Sequence, residues 1–322
     1  MSKYKVVLLE DRYASHSYER QVLEAIGAQV VDGGGASTPA AILALCKDAD
    51  AILVNLAPLT AETISGLERC KVIARYGVGF DNVDVQAAAK KGIFVLNVPD
   101  YCLEDVSDQA FALVMACVRK TSLRDRQVRS GQWNIGTKDP MFRIAGKVFG
   151  LAGYGSIPKV LHRKLKGFDL KRVLVYDPFV PEEVIRQAGA EKVDFDALLS
   201  QSDFVSCHVP LSEKTRHLFN REAFAKMKPG AIFVNTSRGG LVDTQALYEA
   251  LKSRHLNSAG VDVHETEPVP AGYVLFGLDN VVLSDHTGWY SEEAQVDLQT
   301  KAAQGVAEVL TGKPPRNAVN KP

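Results

Sequence analysis

Short apolar runs recur along the chain, each bounded by polar residues or glycine, and the segments between them place apolar residues at helical spacing. In the first hundred residues the runs are Lys5–Leu9, Ala51–Val54, Val72–Ala74 and Phe94–Leu96, with helical patterns over Tyr18–Ile26, Ala40–Cys46, Ala61–Leu67 and Val85–Lys90. This alternation predicts a parallel sheet covered on both faces. Pro99 and the acidic stretch Asp100–Asp105 interrupt it, and Val106–Lys120 is then strongly helical, so a hinge is placed here. Thr121–Phe142, with Arg124, Arg126, Arg129 and Trp133, breaks regularity. Its charges read as a solvated face, with Trp133 a candidate for a subunit interface.

From Gly146 a second series begins: Val148–Leu151, Arg172–Tyr176, Phe204–Cys207, Ala231–Asn235, Ser258–Val261 and Val281–Leu283. Six such runs make a full doubly wound sheet. The last helical stretch, Glu292–Leu310, then needs a surface to cover. It finds one if the chain leaves its first domain near residue 100 and returns near residue 287. The expected division is therefore 1–100 with 288–322 as one discontinuous domain, and 101–287 as the other.

Composition narrows the class. Lysine plus arginine equals aspartate plus glutamate, 38 of each, so no net field attracts nucleic acid or an anionic membrane, and a small-molecule ligand is expected. The five cysteines are spread out without a CxxC pair, which predicts reduced packing residues and no metal site. The N-terminal MSKYKVVLLEDRY does not read as a signal peptide and no 18-residue apolar span occurs, so a cytoplasmic protein is expected.

One motif organises the second series. GLAGYGSIP, Gly150 to Pro158, follows an apolar run and opens a helical segment. Gly153 permits a sharp turn, Gly155 lets backbone approach a pyrophosphate, and the helix N-terminus offers unpaired N–H groups and positive dipole. The next strand ends in Asp177, about 20 residues beyond Gly155, the spacing of an acid that holds an adenosine ribose. Strand, glycine turn, helix and acid together predict dinucleotide binding. A carboxylate at Asp177 would repel a 2′-phosphate by up to about 4 kcal/mol at contact distance in an intermediate dielectric, so NAD is the expected cofactor.

Three later strands end in loops that carry chemistry: Asn235–Gly240, Asp262–Pro268 and Asp285–Trp289. In a doubly wound sheet they open onto the edge of the glycine motif, where Arg238, Glu267 and His286 can converge. A guanidinium binds a carboxylate through a planar fork, an imidazole exchanges a proton near neutrality, and a carboxylate beside it favours imidazolium. That set suits hydride exchange between a nicotinamide and a 2-hydroxy acid. Singly, each has a plainer reading: Arg238 capping a turn, Glu267 exposed, His286 packed. His208 and His264 compete for the proton role, the first read as structural, the second as able to line the pocket. In the first domain, RYGVGFDNVD (Arg75–Asp84) offers backbone amides at Gly77 and Val78 for a carboxylate, with Tyr76 as a pocket wall. Tyr76, Tyr101 and Trp289 suggest a partly aromatic pocket.

RYGVGFDNVD, the glycine motif, VNTSRGGLVD, GVDVHETEP and DHTGWYSEEA together resemble the D-isomer-specific 2-hydroxyacid dehydrogenases over nearly the whole chain. The resemblance implies an α/β protein of two doubly wound parallel-sheet domains, a Rossmann-type NAD domain inserted into a flavodoxin-like substrate domain, with the active site in the cleft between them. It implies catalytic Arg238, Glu267 and His286, and amides near Gly77 and Val78 for the substrate carboxylate. Cofactor contacts carry over to Gly153, Gly155, Ser156 and Ile157 at the pyrophosphate, Asp177 at the ribose, and Val209, Thr236, Asp262 and Gly288 around the nicotinamide. Homodimers joined through the cofactor domains are typical. HETEP and HTGWYSEEA look most like the branch containing the C-terminal-binding proteins, which implies Trp289 against the substrate. Two positions depart from the pattern: Pro158 replaces the third glycine, and Gln109 stands where many relatives have histidine.

The implied activity is NAD-dependent interconversion of a 2-keto acid and a D-2-hydroxy acid. Two alternatives remain open at this point: an NAD(H)-sensing, corepressor-like binding dimer, and an isomerase or lyase that recycles bound NAD. Proline in the first turn of a helix gives up no hydrogen bond. Pro158→Gly is accordingly expected to preserve or tighten NADH binding, read by fluorescence titration, and a large loss would mean that the helix starts elsewhere.

Overall fold

The structure, a computed structural model, describes residues 2–133 and 140–322. The chain divides into two units, Met1–Cys102 with Ser291–Pro322, and Leu103–Tyr290. The crossings fall slightly later than the sequence placed them.

The first unit runs β1 (Tyr4–Leu9), α1 (Ser17–Glu24), β2 (Ala28–Asp32), α2 (Pro39–Cys46), β3 (Ala51–Val54), α3 (Ala61–Ser65), β4 (Val72–Arg75), α4 (Val85–Lys90) and β5 (Phe94–Leu96). Its sheet has the order β2-β1-β3-β4-β5, and every pair is parallel. That is the flavodoxin-like order, with a switch point beside β1. Leu8, Ile52 and Leu53 are among its largest fully buried side chains, as strands covered on both faces require. β2 was not legible in the sequence, because an edge strand reading AQVVD offers only a short apolar run.

The second unit runs α5 (Leu103–Arg119), α6 (Thr121–Arg129), β6 (Val148–Ala152), α7 (Ser156–Leu165), β7 (Arg172–Tyr176), α8 (Glu182–Gln187), β8 (Glu191–Lys192), α9 (Phe195–Gln201), β9 (Phe204–Cys207), α10 (Arg221–Lys226), β10 (Ile232–Asn235), α11 (Thr244–Lys252), β11 (Ser258–Val261) and β12 (Val281–Leu283). Its sheet order, β12-β11-β10-β9-β6-β7-β8, reverses between β6 and β9, which is the Rossmann switch point. One apolar layer gathers Phe219, Phe224 and Phe233, and another gathers Phe149, Tyr154 and Phe204. Helix α5 lies close on the sheet: a Cβ added to Gly260 would stand 2.7 Å from the Cβ of Leu113. The stretch expected to be irregular begins as α6, none of whose residues is buried, and continues to an 81% exposed Trp133. Its residues 134–139 lie outside the described residues.

After the second unit the chain returns as α12 (Glu292–Leu310), which packs on α1 and β4 of the first. A buried acid fastens it there. Glu19 on α1, fully buried, accepts hydrogen bonds from Gln299 Nε2 at 3.0 and 2.9 Å and from the Tyr76 hydroxyl at 2.8 Å. A buried carboxylate is tolerated only with such saturation.

All five cysteines are free, and burial pushes the thiols of Cys46, Cys70, Cys117 and Cys207 up to about 12. Among the described residues no helix is long and apolar enough to cross a membrane.

Candidate active site

Because every strand of the second unit's sheet is parallel, the loops after β6, β9, β10, β11 and β12 open onto one edge. The turn after β6 is tight. Gly153 has φ +96°, and a Cβ there would come 2.7 Å from the His208 carbonyl oxygen, so only glycine fits. Gly155 caps α7 with open space at its Cα, and Ser156 and Ile157 begin the helix. Pro158 is buried in that first turn, where its missing N–H costs nothing.

Asp177 is bound into this turn. Its Oδ2 accepts from the Tyr154 N–H at 2.8 Å, and its Oδ1 from the N–H groups of Phe179 and Val180 at 2.8 and 3.0 Å. Burial pushes its carboxyl up, but these three amides outweigh burial and hold it below the usual carboxylate range. The anion beside the glycine turn suits a ribose diol and opposes a 2′-phosphate. Val209 is buried near the same edge, and Thr236 Oγ1 is buried with no hydrogen-bond partner among the described residues, a condition that a cofactor's polar group would relieve. These residues fit NAD.

The chemistry-bearing loops show how each side chain is aimed. Asn235, at the end of β10, accepts from the Ser237 N–H and donates to the Arg238 carbonyl, which shapes the turn that presents Arg238. Arg238 itself donates from Nη1 to the Ser237 carbonyl at 2.7 Å. The next residue is held by contact: a Cβ on Gly239 would lie 1.9 Å from the His264 carbonyl carbon. Backbone of the Arg238 turn therefore abuts backbone of the loop that carries Glu267.

Glu267 and His286 meet directly, with Oε2 2.7 Å from Nδ1. The other oxygen, Oε1, accepts the His264 N–H at 2.8 Å. Burial pushes the Glu267 carboxyl up, but the bonds from His286 and His264 hold it below its ordinary value, so it is an anion facing the imidazole. His286 has φ +59°, a left-handed conformation that needs support. Asp262 gives it: its carbonyl accepts the His286 N–H at 2.8 Å, and its buried carboxylate accepts from Ser284 Oγ at 2.6 Å, Thr287 N–H at 3.2 Å and Gly288 N–H at 3.0 Å. Gln109 Nε2 reaches Ser284 Oγ at 3.0 Å from α5, so α5 joins this loop through an uncharged amide. Both oxygens of Asp262 are thus engaged by the His286 loop. Trp289, half-buried, stacks edge-on with Tyr290.

In the first unit two expectations change. Tyr76 does not line a pocket: it is 1% exposed and its hydroxyl goes to Glu19, so the ring belongs to the core. Gly77 has φ +140° and donates its N–H to the Arg75 carbonyl at 3.0 Å, while the Arg75 guanidinium fills the space a Cβ would take. Val78, partly exposed, accepts from Asn97 Nδ2 through its carbonyl at 2.7 Å.

The plainer reading holds for His208, whose Nε2 lies 2.9 Å from Ser206 Oγ. His264 also has both ring nitrogens occupied, by the Tyr273 hydroxyl at 3.1 Å and the Ser284 carbonyl at 2.9 Å. A recess of about 40 Å³ lined by Cys117, Phe142, Lys147, Asp203 and Asn257 lies at the amino-terminal ends of the strands, away from these loops, and holds none of this chemistry.

A glycine turn with a carboxylate beside it, and a histidine with its carboxylate on the same sheet edge, define a nicotinamide-dependent oxidoreductase. The chain belongs to the D-isomer-specific 2-hydroxyacid dehydrogenases, whose NAD-binding domain model matches residues 111–288. A glyoxylate reductase from Korarchaeum cryptofilum is 40% identical over 283 residues, 87% of this chain and 85% of that one. A D-3-phosphoglycerate dehydrogenase from Methanocaldococcus jannaschii is 38% identical over 309 residues, 95% of this chain but 58% of that one. Among solved structures, D-lactate dehydrogenase from Aquifex aeolicus complexed with NAD and lactic acid matches with a TM-score of 0.87 at 26% identity, covering 98% of this chain and 99% of that one. None of these three carries the name of a C-terminal-binding protein, so the placement stands at the family. The protein is an NAD-dependent enzyme that interconverts 2-keto and 2-hydroxy acids.

One group on this edge couples the fold to pH. Burial pushes the His208 imidazole down to about 3, against an unfolded value of about 6.5. The folded chain keeps it neutral where the unfolded chain takes a proton. Its contribution to stability is therefore complete above about pH 6.5 and is lost as pH falls toward the folded value, at about 1.4 kcal/mol per pH unit. His208→Gln is expected to flatten the stability curve between about pH 6 and 4, measured by chemical denaturation. Parallel curves for variant and wild type would contradict it.

Proposed function

We propose that Arg238, Glu267 and His286 carry the reaction, in the direction 2-keto acid to D-2-hydroxy acid or its reverse, on a small substrate of the glyoxylate class. The observation that carries this reading is the 2.7 Å contact between Glu267 Oε2 and His286 Nδ1. Glu267 takes Nδ1, so Nε2 is the nitrogen left for substrate. The carboxylate stabilises the imidazolium, which gives its Nε2 proton to the carbonyl oxygen as C2 is reduced; in the reverse direction the neutral ring takes the hydroxyl proton. Arg238 binds the substrate carboxylate through its fork and polarises the adjacent carbonyl. NAD(H), when bound, receives or supplies the hydride. Ser156, Ile157, Asp177, Val209, Thr236 and Gly288 hold it, with Asp262 acting through the loop it shapes. Val78 contributes its amide to the carboxylate, and Trp289 an apolar wall.

The substrate class follows the glyoxylate reductase relative and the absence from the sequence of a clear extra cationic cluster for a phosphate. The sensor reading and the isomerase or lyase reading draw on no observation that the dehydrogenase leaves unused. A panel of 2-keto acids with NADH, followed at the nicotinamide absorbance, tests the proposal. Wild type is expected to oxidise NADH with at least one small acid, while Arg238→Ala and His286→Ala bind NADH normally and lose at least about 100-fold in kcat/KM. NADH binding without turnover for every acid would favour the sensor. Substrate consumption without net change in NADH would favour the isomerase or lyase.

We further propose a homodimer formed through the second unit. Helix α6 buries none of its own residues, and Val128 on it is exposed, as are Trp133, Met141 and Phe142 in the segment that follows, apolar side chains that a second copy would cover. Sedimentation is expected to give a dimer for wild type and a shift toward monomer for Trp133→Glu. A monomeric wild type would refute it.

A further inference from the structure

We propose that His264 is a positioning residue, one whose backbone holds Glu267 and whose ring holds the strand end from which His286 emerges. The inference rests on the reading of Glu267 and His286 as the working pair.

Three segments meet at this one residue. The His264 N–H donates to Glu267 Oε1 at 2.8 Å, which leaves Oε2 for His286. On the ring, Nε2 stands 2.9 Å from the Ser284 carbonyl oxygen. A carbonyl only accepts, so Nε2 carries the proton. In the neutral ring Nδ1 is then the acceptor, and the Tyr273 hydroxyl at 3.1 Å donates to it, which locks the tautomer. Packing fixes the ring as well: Tyr273 meets it edge-on with centroids 5.4 Å apart at 87°, and Phe276 meets Tyr273 at 5.5 Å and 80°.

Ser284 lies just past β12, two residues before His286. Its carbonyl therefore lies between the end of β12 and the left-handed turn at His286. On the other side, the loop from Asp262 to Pro268 has no regular secondary structure, and it is braced at His264 by the close approach of Gly239. The ring of His264 spans these two pieces. Asp262 bonds the second segment from Ser284 to Gly288, and His264 adds a bond to the Ser284 carbonyl, so the separation of acid and imidazole is set by two residues of the first segment. Two side chains that must face each other within hydrogen-bond distance need this, because a displacement of 1 Å in a reacting group costs about 100-fold in rate.

The role differs from catalysis in an observable way. Both ring nitrogens are engaged by the protein, so His264 moves no proton. Its loss acts on the rate of the chemical step and leaves the cofactor site intact. His264→Phe keeps the aromatic contact with Tyr273 and removes both ring bonds. His264→Gln restores a donor of sufficient length to Ser284, and His264→Asn falls short of it. With the 2-keto acid that wild type reduces fastest, the phenylalanine variant is expected to lose about 10- to 100-fold in kcat. KM for the acid and Kd for NADH, the latter by fluorescence titration, should stay within about twofold. The glutamine variant is expected to recover kcat to within about fivefold of wild type, and the asparagine variant to resemble phenylalanine.

The inference is overturned if the phenylalanine variant keeps kcat within about twofold, if it loses NADH affinity in proportion to kcat, or if glutamine is no better than asparagine. Should the phenylalanine variant melt early, the glutamine and asparagine pair decides alone. His286→Ala run in parallel separates this result from the parent reading: an active His286→Ala removes the working pair itself, whereas an inactive His286→Ala beside a normal His264→Phe removes only the positioning role.

Discussion

A buried carboxylate with both oxygens engaged is the constraint on which the active edge depends. Asp262 is 1% exposed, and its carboxylate collects a hydroxyl and two backbone amides from the segment Ser284–Gly288. Removing a carboxylate from water is costly unless such donors replace the solvent. The requirement works in both directions: the anion needs those amides, and meeting the need forces the chain through the left-handed turn that presents His286. A Cβ on Gly288 would come 2.7 Å from Asp262 Oδ2, so the glycine there is dictated by the same anion. Strain at His286 and order in its loop have a common origin.

Much of this architecture was legible because buried parallel strands write themselves as uninterrupted apolar runs. Ala51–Val54, Phe204–Cys207 and Ser258–Val261 match observed strands residue for residue. The glycine turn was legible for a related reason: Gly153 answers a steric demand that no other residue meets, and Asp177 follows at a fixed distance along a strand. What escaped is what depends on tertiary contact. Strands β2 and β8 are sheet edges, too short for a run. Glu19 looks in sequence like any surface acid of a helix, yet it is fully buried because Gln299, near the other end of the chain, saturates it. Tyr76 misled for the same reason, since its partner is that acid.

Histidine shows the limit most clearly. His208, His264 and His286 all sit at strand ends on one edge, and residue type alone does not rank them. The structure separates them by partners: a serine hydroxyl for the first, a tyrosine and a carbonyl for the second, an anionic carboxylate for the third. The identity of the atom that each nitrogen faces, which no spacing rule supplies, is what sets the three rings apart.

The bond between Gln299 and Glu19 joins residues 280 positions apart, across the whole of the inserted unit. During synthesis the chain emerges N-terminal end first, so the α/β layer of residues 1–102 must wait for its last helix while residues 103–290 are translated and can fold as a unit. Throughout that interval Glu19 has no amide to satisfy it, and the surface that α12 will cover is open to water and to chaperones. The order of domains along the gene thus makes the first unit to leave the ribosome the last to be completed.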